Sequence, residues 1–389
     1  MGERADVVVV GAGVMGASIA HALCVGGAGR VALIDPRGPA GGMSGRSFRQ
    51  VRRHHSNEVI VRLAARGFAL IEAWDEVVGV GDPGYARLGY LLLVEDGEAE
   101  ACRRNVELGR RCGVETEFLP PDRIGEVEPL VIAAGLAGAA YEPGGGVVDP
   151  VKMCLAWVTA ARERGLETRF GERVTGIGAA GGRVTGVRTG AEPIAAPVVV
   201  LAAGPWSGPL LGPLGVDPQL TLVPLDVATL RQPAGGPLVR TAVTDSSAGL
   251  VLRADRGSLF QAVAYQEGRP APASPDEVDG AAGYEGAVRD ALRGRVPALA
   301  DAVWEGAVSG VYDATPDWHP LLGWSPDVEG LYLAIGWSGY GLKLAPAVGE
   351  VVAADVLGRP PAVDASALGP DRFARGRPLS LAYGPGARA

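Results

Sequence analysis

The stretch "ADVVVVGAGVMGASIAHAL" near the N-terminus leaves few folds open to this chain. Its valine run reads as a buried strand, and Gly11, Gly13 and Gly16 follow as G-x-G-x-x-G before a helix start. The first glycine permits a tight turn, the second lets backbone approach a pyrophosphate, and the third lets the helix pack on the strand. Free N–H groups and the positive dipole end of the helix then face the phosphates. A second strand, "RVALID", ends at Asp35, 19 residues after Gly16, where a carboxylate can accept hydrogen bonds from a ribose hydroxyl. Strand, glycine turn, helix, strand and acid in that order predict a dinucleotide site on a parallel sheet.

With 389 residues, two domains are expected, possibly interleaved. The formal charge of −8 and the lack of a basic stripe exclude a nucleic-acid binder, since "RQVRRHH" (49–55) is too short for such a face. Cys24, Cys102, Cys112 and Cys154 lie far apart without a CxxC pair, and the four histidines have no HExxH spacing, so no metal site is expected. No apolar run is long enough to span a bilayer and no signal peptide is evident, which points to a cytoplasmic protein without a membrane role.

After Asp35 the chain enters a glycine- and arginine-rich loop (38–56). An amphipathic helix follows at about 57–78, with Ile60, Leu63, Ala64, Gly67, Ile71, Trp74 and Val78 on one face and Ser56 as cap. A strand at 85–95 and a charged helix at about 97–112 look like part of a second domain. Asp149 and Pro150 read as N-cap and first helical residue. Long strands dominate about 216–309, the last long helix covers 344–357, and a loosely held tail is expected beyond about 360.

The order of "GAGVMG", "SGRSFRQVR", "GGGVVDP", "VVLAAGPWS", "TPDWHPLLG" and "GWSGYGLK" resembles the D-amino-acid-oxidase-like flavoproteins over residues 5–360. Within that superfamily it is most similar to the sarcosine oxidase and N-methyl amino acid oxidase branch. The resemblance implies an α/β (α+β overall) architecture: a Rossmann-type FAD-binding domain and an interleaved antiparallel-sheet substrate domain. The first would comprise 1–84, 136–215 and 310–360, the second 85–135 and 216–309, with 361–389 as tail. It also implies FAD contacts from Gly11, Gly13, Met15, Gly16, Asp35, Ser44, Arg46, Val174, Ala203, Gly204 and Trp206, and from Gly336, Gly339, Tyr340, Gly341, Leu342 and Lys343.

Lysine is rare here: of 36 Lys plus Arg residues only Lys152 and Lys343 are lysine, and Lys343 closes the glycine-rich turn "GWSGYGLK". Lys343 matches the family lysine that binds a substrate carboxylate together with an arginine, here Arg52, with Arg49 nearer the flavin. The family's covalent-link cysteine before "TPD" is missing, since Ser309, Gly310 and Val311 stand there, so FAD should be non-covalent. At the position of the family's oxygen-activating lysine the alignment gives neutral Gln261. Tyr265 stands for a pocket histidine, and Leu252 or Val251 for a pocket tyrosine.

The expected function is FAD-dependent oxidation of a small, secondary or N-alkylated amino acid. Hydride passes from the carbon next to nitrogen to flavin N5, and the imine then hydrolyses. Molecular oxygen or another acceptor would reoxidise the flavin. Two alternatives stand beside it, an FAD dehydrogenase subunit of a hetero-oligomer and a non-catalytic flavin-binding protein.

Overall fold

The computed structural model describes residues 3–232, 235–236, 238–266 and 268–383. The valine run forms strand Val7–Val10, whose residues are all buried, and helix Val14–Gly26 follows directly. A Cβ at Gly16 would lie 1.7 Å from the Gly11 carbonyl oxygen, so only glycine lets this helix sit against the turn it leaves. Around the first strand a six-stranded sheet assembles in the order Glu167–Phe170, Val31–Asp35, Val7–Val10, Val198–Leu201, Leu331–Ile335, Leu321–Trp324. All neighbours in it are parallel except the last pair. Strands from residues 7 to 335 therefore meet in one layer.

An eight-stranded sheet forms the other half, in the order Val303–Ala314, Thr221–Arg231, Leu259–Ala264, Leu250–Ala254, Ala242–Asp245, Tyr90–Val94, Gly138–Glu142, Glu117–Leu119. It is antiparallel apart from the pairing of Tyr90–Val94 with Ala242–Asp245. The expected segment 136–215 begins inside this sheet, because Gly138–Glu142 pairs on both sides there. Strand alternation gives the sheet one face toward the nucleotide half and one packed on helix Tyr284–Arg295.

Helix Glu58–Glu72 buries Ile60, Leu63, Ala64, Gly67 and Ile71, and the short helix Trp74–Val77 continues it. Asn57, not Ser56, is its N-cap residue, and Ser56 Oγ instead meets Asn105 and the Ala382 N–H. Asp149 caps helix Pro150–Arg162 as expected, accepting from the N–H groups of Val151 and Lys152 at 3.0 and 3.2 Å. Helix Gly341–Val356 starts three residues earlier than its apolar pattern indicated, directly at the glycine turn.

The expectation of a loose tail is corrected. Arg372 forms a bidentate pair with Asp317 at 2.8 Å for each bond, both side chains 3% exposed. The Leu379 N–H also donates to Asp317, and the Tyr383 hydroxyl reaches His54 Nε2 at 2.8 Å. Sequence composition could not show this, because the partners lie in a loop some 55 residues upstream. Arg372→Ala would leave the Asp317 carboxylate buried without its cation, which costs about 3–5 kcal/mol. A urea melt should register that loss as a lower midpoint. An unchanged midpoint would return the tail to a passive role.

Candidate active site

Between the two sheets lies a cavity of about 580 Å³. Gly11, Gly13, Met15, Asp35, Ser44, Arg46, Val174, Ala203, Gly204 and Trp206 line one part of it. Gly339, Tyr340, Gly341, Leu342, Lys343, Arg49, Arg52 and Tyr265 line the other. Three expected site residues lie outside the lining. Gly16 serves helix packing, Gly336 donates its N–H to Asp313 at 2.8 Å, and Gln261 sits one row further along the eight-stranded sheet. Of the two candidates for a pocket tyrosine's place, Val251 lines the cavity while Leu252 points into the core on the opposite face.

The nucleotide end is built for a long, anionic, flat-ended ligand. Asp35 accepts from the backbone N–H groups of Ala12, Arg37 and Gly38 at 2.8, 2.7 and 2.8 Å. It thus pins the glycine turn to the following loop, and its carboxylate keeps acceptor capacity for a ribose hydroxyl. Ser44 Oγ accepts from the Val14 N–H at 3.1 Å, which brings loop 38–56 onto the helix N-terminus. Arg37 stacks 4.7 Å over the Trp206 ring, and both side chains hold Asp276 from the other half of the molecule. Ser47 Oγ, Gln50 Nε2 and Tyr340 Oη are buried without hydrogen-bond partners among the described residues, and all three residues line the cavity. Buried polar atoms left in this way suit a bound ligand. The residues present therefore fit FAD, whose pyrophosphate Gly11–Met15 would hold and whose ring the "GWSGYGLK" turn would face.

At that turn Gly339 has φ +89°, and a Cβ there would stand 3.1 Å from the Tyr312 ring. Asp313, pushed up to about 6 by burial despite the Gly336 and Trp337 N–H groups beside it, ties the turn to strand Val303–Ala314. Lys343 follows in the first turn of its helix, 6% exposed, donating to the Gly339 carbonyl at 3.2 Å and lying 5.1 Å from the Tyr340 ring. Among the described residues it makes no ion pair. Burial, and then the charge of Arg52, hold its ammonium well below the ordinary lysine range. Arg52, 4% exposed, donates to the His54 carbonyl, contacts His55 Nδ1 at 3.2 Å and lies 5.3 Å over the Tyr90 ring. Two buried cations thus share one chamber, an arrangement that an incoming carboxylate relieves.

Opposite them the sheet offers Leu225, Val227, Val251 and Val263, with Tyr265 hydrogen-bonded to Tyr312. Burial raises the Tyr312 hydroxyl to about 12 and that of Tyr265 well above its usual range, so both are neutral donors. Sequence reading missed Phe48, Gln50, Tyr312 and Asp313. The last two were legible in principle, since "GVYDATPD" leads straight into the flavin-side loop.

A family model described as FAD dependent oxidoreductase matches residues 6–354. The crystal structure of L-proline dehydrogenase from P. horikoshii superposes with TM-score 0.88 at 25% identity, covering 97% of this chain and 100% of that one. That of glycine oxidase from Geobacillus kaustophilus gives TM-score 0.81 at 26% identity, covering 94% and 98%. The 4-methylaminobutanoate oxidase (formaldehyde-forming) of Paenarthrobacter nicotinovorans is 26% identical over 94% of this chain, which spans 45% of that protein's length.

None of Cys24, Cys102, Cys112 and Cys154 lines the cavity. Acid precipitation of the holoprotein should therefore release intact FAD into the supernatant. Flavin retained in the pellet would contradict non-covalent binding.

Proposed function

Because the chain belongs to the FAD dependent oxidoreductase family, we propose that it oxidises a small amino acid, secondary or N-alkylated at its nitrogen. The observation that carries this reading is the pair of buried cations, Arg52 and Lys343, on one chamber beside the glycine turn. Together they anchor the substrate carboxylate, which fixes the carbon next to nitrogen relative to the ring. Bound FAD supplies the two-electron acceptor that takes hydride from that carbon, and water then hydrolyses the released imine to a carbonyl compound and an amine. The apolar wall of Leu225, Val227, Val251 and Val263 excludes water and suits an alkyl substituent on the amine. Tyr265 and Tyr312 remain as neutral hydroxyls for the amine end. Orientation and fixed charge account for the catalysis, and no strong base is assigned.

Lys343→Met should weaken carboxylate binding by tens to thousands of fold, the equivalent of roughly 2–5 kcal/mol, while FAD affinity changes little. Converting the substrate carboxylate to an amide should cost the wild type more than the variant, in which only Arg52 is left to lose. Equal losses in both proteins would remove Lys343 from the anchor. The depressed Lys343 pKa adds a pH sign. The ammonium attracts carboxylate only while protonated, so affinity is full below the folded-state pKa and falls as pH rises through it, in a window below the usual lysine value. A competitive carboxylate titrated across pH reads this directly, and Lys343→Met should flatten the profile.

A second reading concerns the electron acceptor. Gln261 is neutral and lies outside the cavity lining, and the L-proline dehydrogenase structure covers 97% of this chain. Both favour transfer to an acceptor other than oxygen. Stopped-flow mixing of the dithionite-reduced protein with aerated buffer should show slow reoxidation. Fast reoxidation would make the protein an oxidase.

A further inference from the structure

Arg253 is the largest fully buried side chain in the molecule's described part, at 0% exposure, and it lies outside the cavity lining. It stands on the cavity face of strand Leu250–Ala254, two residues beyond Val251 and directly across from Gln261. All three of its guanidinium nitrogens donate. Nε bonds the Phe48 carbonyl at 2.6 Å, Nη2 bonds Gln261 Oε1 at 2.5 Å, and Nη1 bonds the Ala254 carbonyl at 2.7 Å and Asp255 Oδ1 at 3.1 Å. The group also lies 5.1 Å from the Phe48 ring centroid. A buried cation with four acceptors is a built feature, and its one long-range backbone contact is to the loop that lines the cavity.

That contact falls immediately before an unusual backbone position. Arg49 has φ +65°, in the left-handed region that a side chain with a Cβ seldom adopts. Left-handed geometry here breaks the alternation of an extended chain, so that Phe48, Arg49, Gln50 and Arg52 all line the cavity. On its C-terminal side the turn is held where the Arg49 carbonyl accepts from the Val148 N–H at 3.1 Å and Gln50–Val51 pairs with Gly146–Val147. On its N-terminal side the Arg253 bond to the Phe48 carbonyl is the matching anchor. Strain of this kind persists only where its surroundings over-determine it.

We propose that Arg253 is a positioning residue for Arg49: its guanidinium clamps the Phe48 carbonyl against the sheet and so fixes the backbone from which the Arg49 side chain lines the cavity, where its guanidinium also pairs with Asp149 at 3.6 Å. Gln261 fixes the far prong of that guanidinium. The sheet therefore keeps a buried positive charge one strand away from 261. Its work is done through the loop. Asp255 offsets only part of the cost of burying it, and the charge of Arg49 is felt at Arg253 from the cavity side.

The inference rests on the cavity being the flavin and anion site, and the experiment separates the two. The FAD-loaded protein is titrated with sulfite, an anion that reacts with oxidised flavin, and binding is followed by flavin absorbance. Wild type should bind sulfite. No binding at all would count against the cavity reading itself. Arg253→Met and Arg49→Met should each raise the sulfite Kd about tenfold. The double variant should be no weaker than Arg49→Met alone, because both changes remove the same placed cation. Full additivity, or an unchanged Kd in Arg253→Met, overturns the clamp. Should Arg253→Met not fold, Arg253→Lys keeps the charge but cannot bridge the Phe48 carbonyl and Gln261 together. It should lose severalfold in sulfite binding at an unchanged FAD stoichiometry, and wild-type binding by that variant would equally overturn the proposal.

Discussion

Three helices meet at backbone distance, and the position of Lys343 depends on that contact. A Cβ at Gly349 would fall 2.4 Å from Ser18 Oγ, and one at Gly67 would fall 2.5 Å from the Lys343 carbonyl oxygen. Ser18 Oγ donates to the Ala345 carbonyl at 2.7 Å, so even the single hydroxyl between the helices is used as a tie. Helix Gly341–Val356 is thus wedged between Val14–Gly26, which opens the nucleotide turn, and Glu58–Glu72, which follows the arginine loop. Glycine in a helix interior costs about 0.5–1 kcal/mol relative to alanine. At Gly67 and Gly349 that cost is offset by a registration no larger residue could give. The glycine turn, the arginine loop and Lys343 are then fixed relative to one another, although about 330 residues separate the first from the last.

With geometry fixed in this way, charge decides what the cavity accepts. The buried acid among its lining residues, Asp313, is engaged by backbone N–H groups of the 336–337 turn and makes no ion pair with Lys343 among the described residues. Hydroxyls there stay protonated because burial raises them. The chamber is therefore net positive with neutral donors at its edges. Under the proposed function such a field would favour a carboxylate in the ground state and an electron-rich flavin after reduction, one set of cations serving both.

The nucleotide half was legible because its signals are local. Turn, helix start and carboxylate at Asp35 lie within 30 residues, and each has one physical reason. Lys343 was legible through rarity, standing almost alone among 36 basic residues. The order of the eight-stranded sheet was not, since Tyr90–Val94 pairs with Ala242–Asp245 across about 150 residues of chain. Gln261 shows where the limit falls. Strand alternation correctly puts it on the same face as Val263 and Tyr265, yet alternation gives the face and not the row, and the row places it beyond the cavity. Arg253 shares that face by the same parity with Val251, and an arginine on an inward face of "GLVLRAD" was a readable signal that went unused.

The tail shows how order can be added beside a charged chamber without disturbing its field. Arg372 brings a cation close behind the cavity wall, but Asp317 pairs with it in a site where both are buried, so the two together contribute little net charge. Between that pair and Lys343 stand rings: His319 stacks on Tyr340 at 5.7 Å, and His55 packs on its other side at 5.2 Å. Burial lowers the His319 pKa, and burial and then Arg52 hold nearby His54 at about 3. These rings carry the packing from tail to cavity. A charged imidazole in the same place would compete with Lys343 for any anion the chamber receives, so the desolvation that lowers His319 and His54 favours the proposed carboxylate anchor at Arg52 and Lys343.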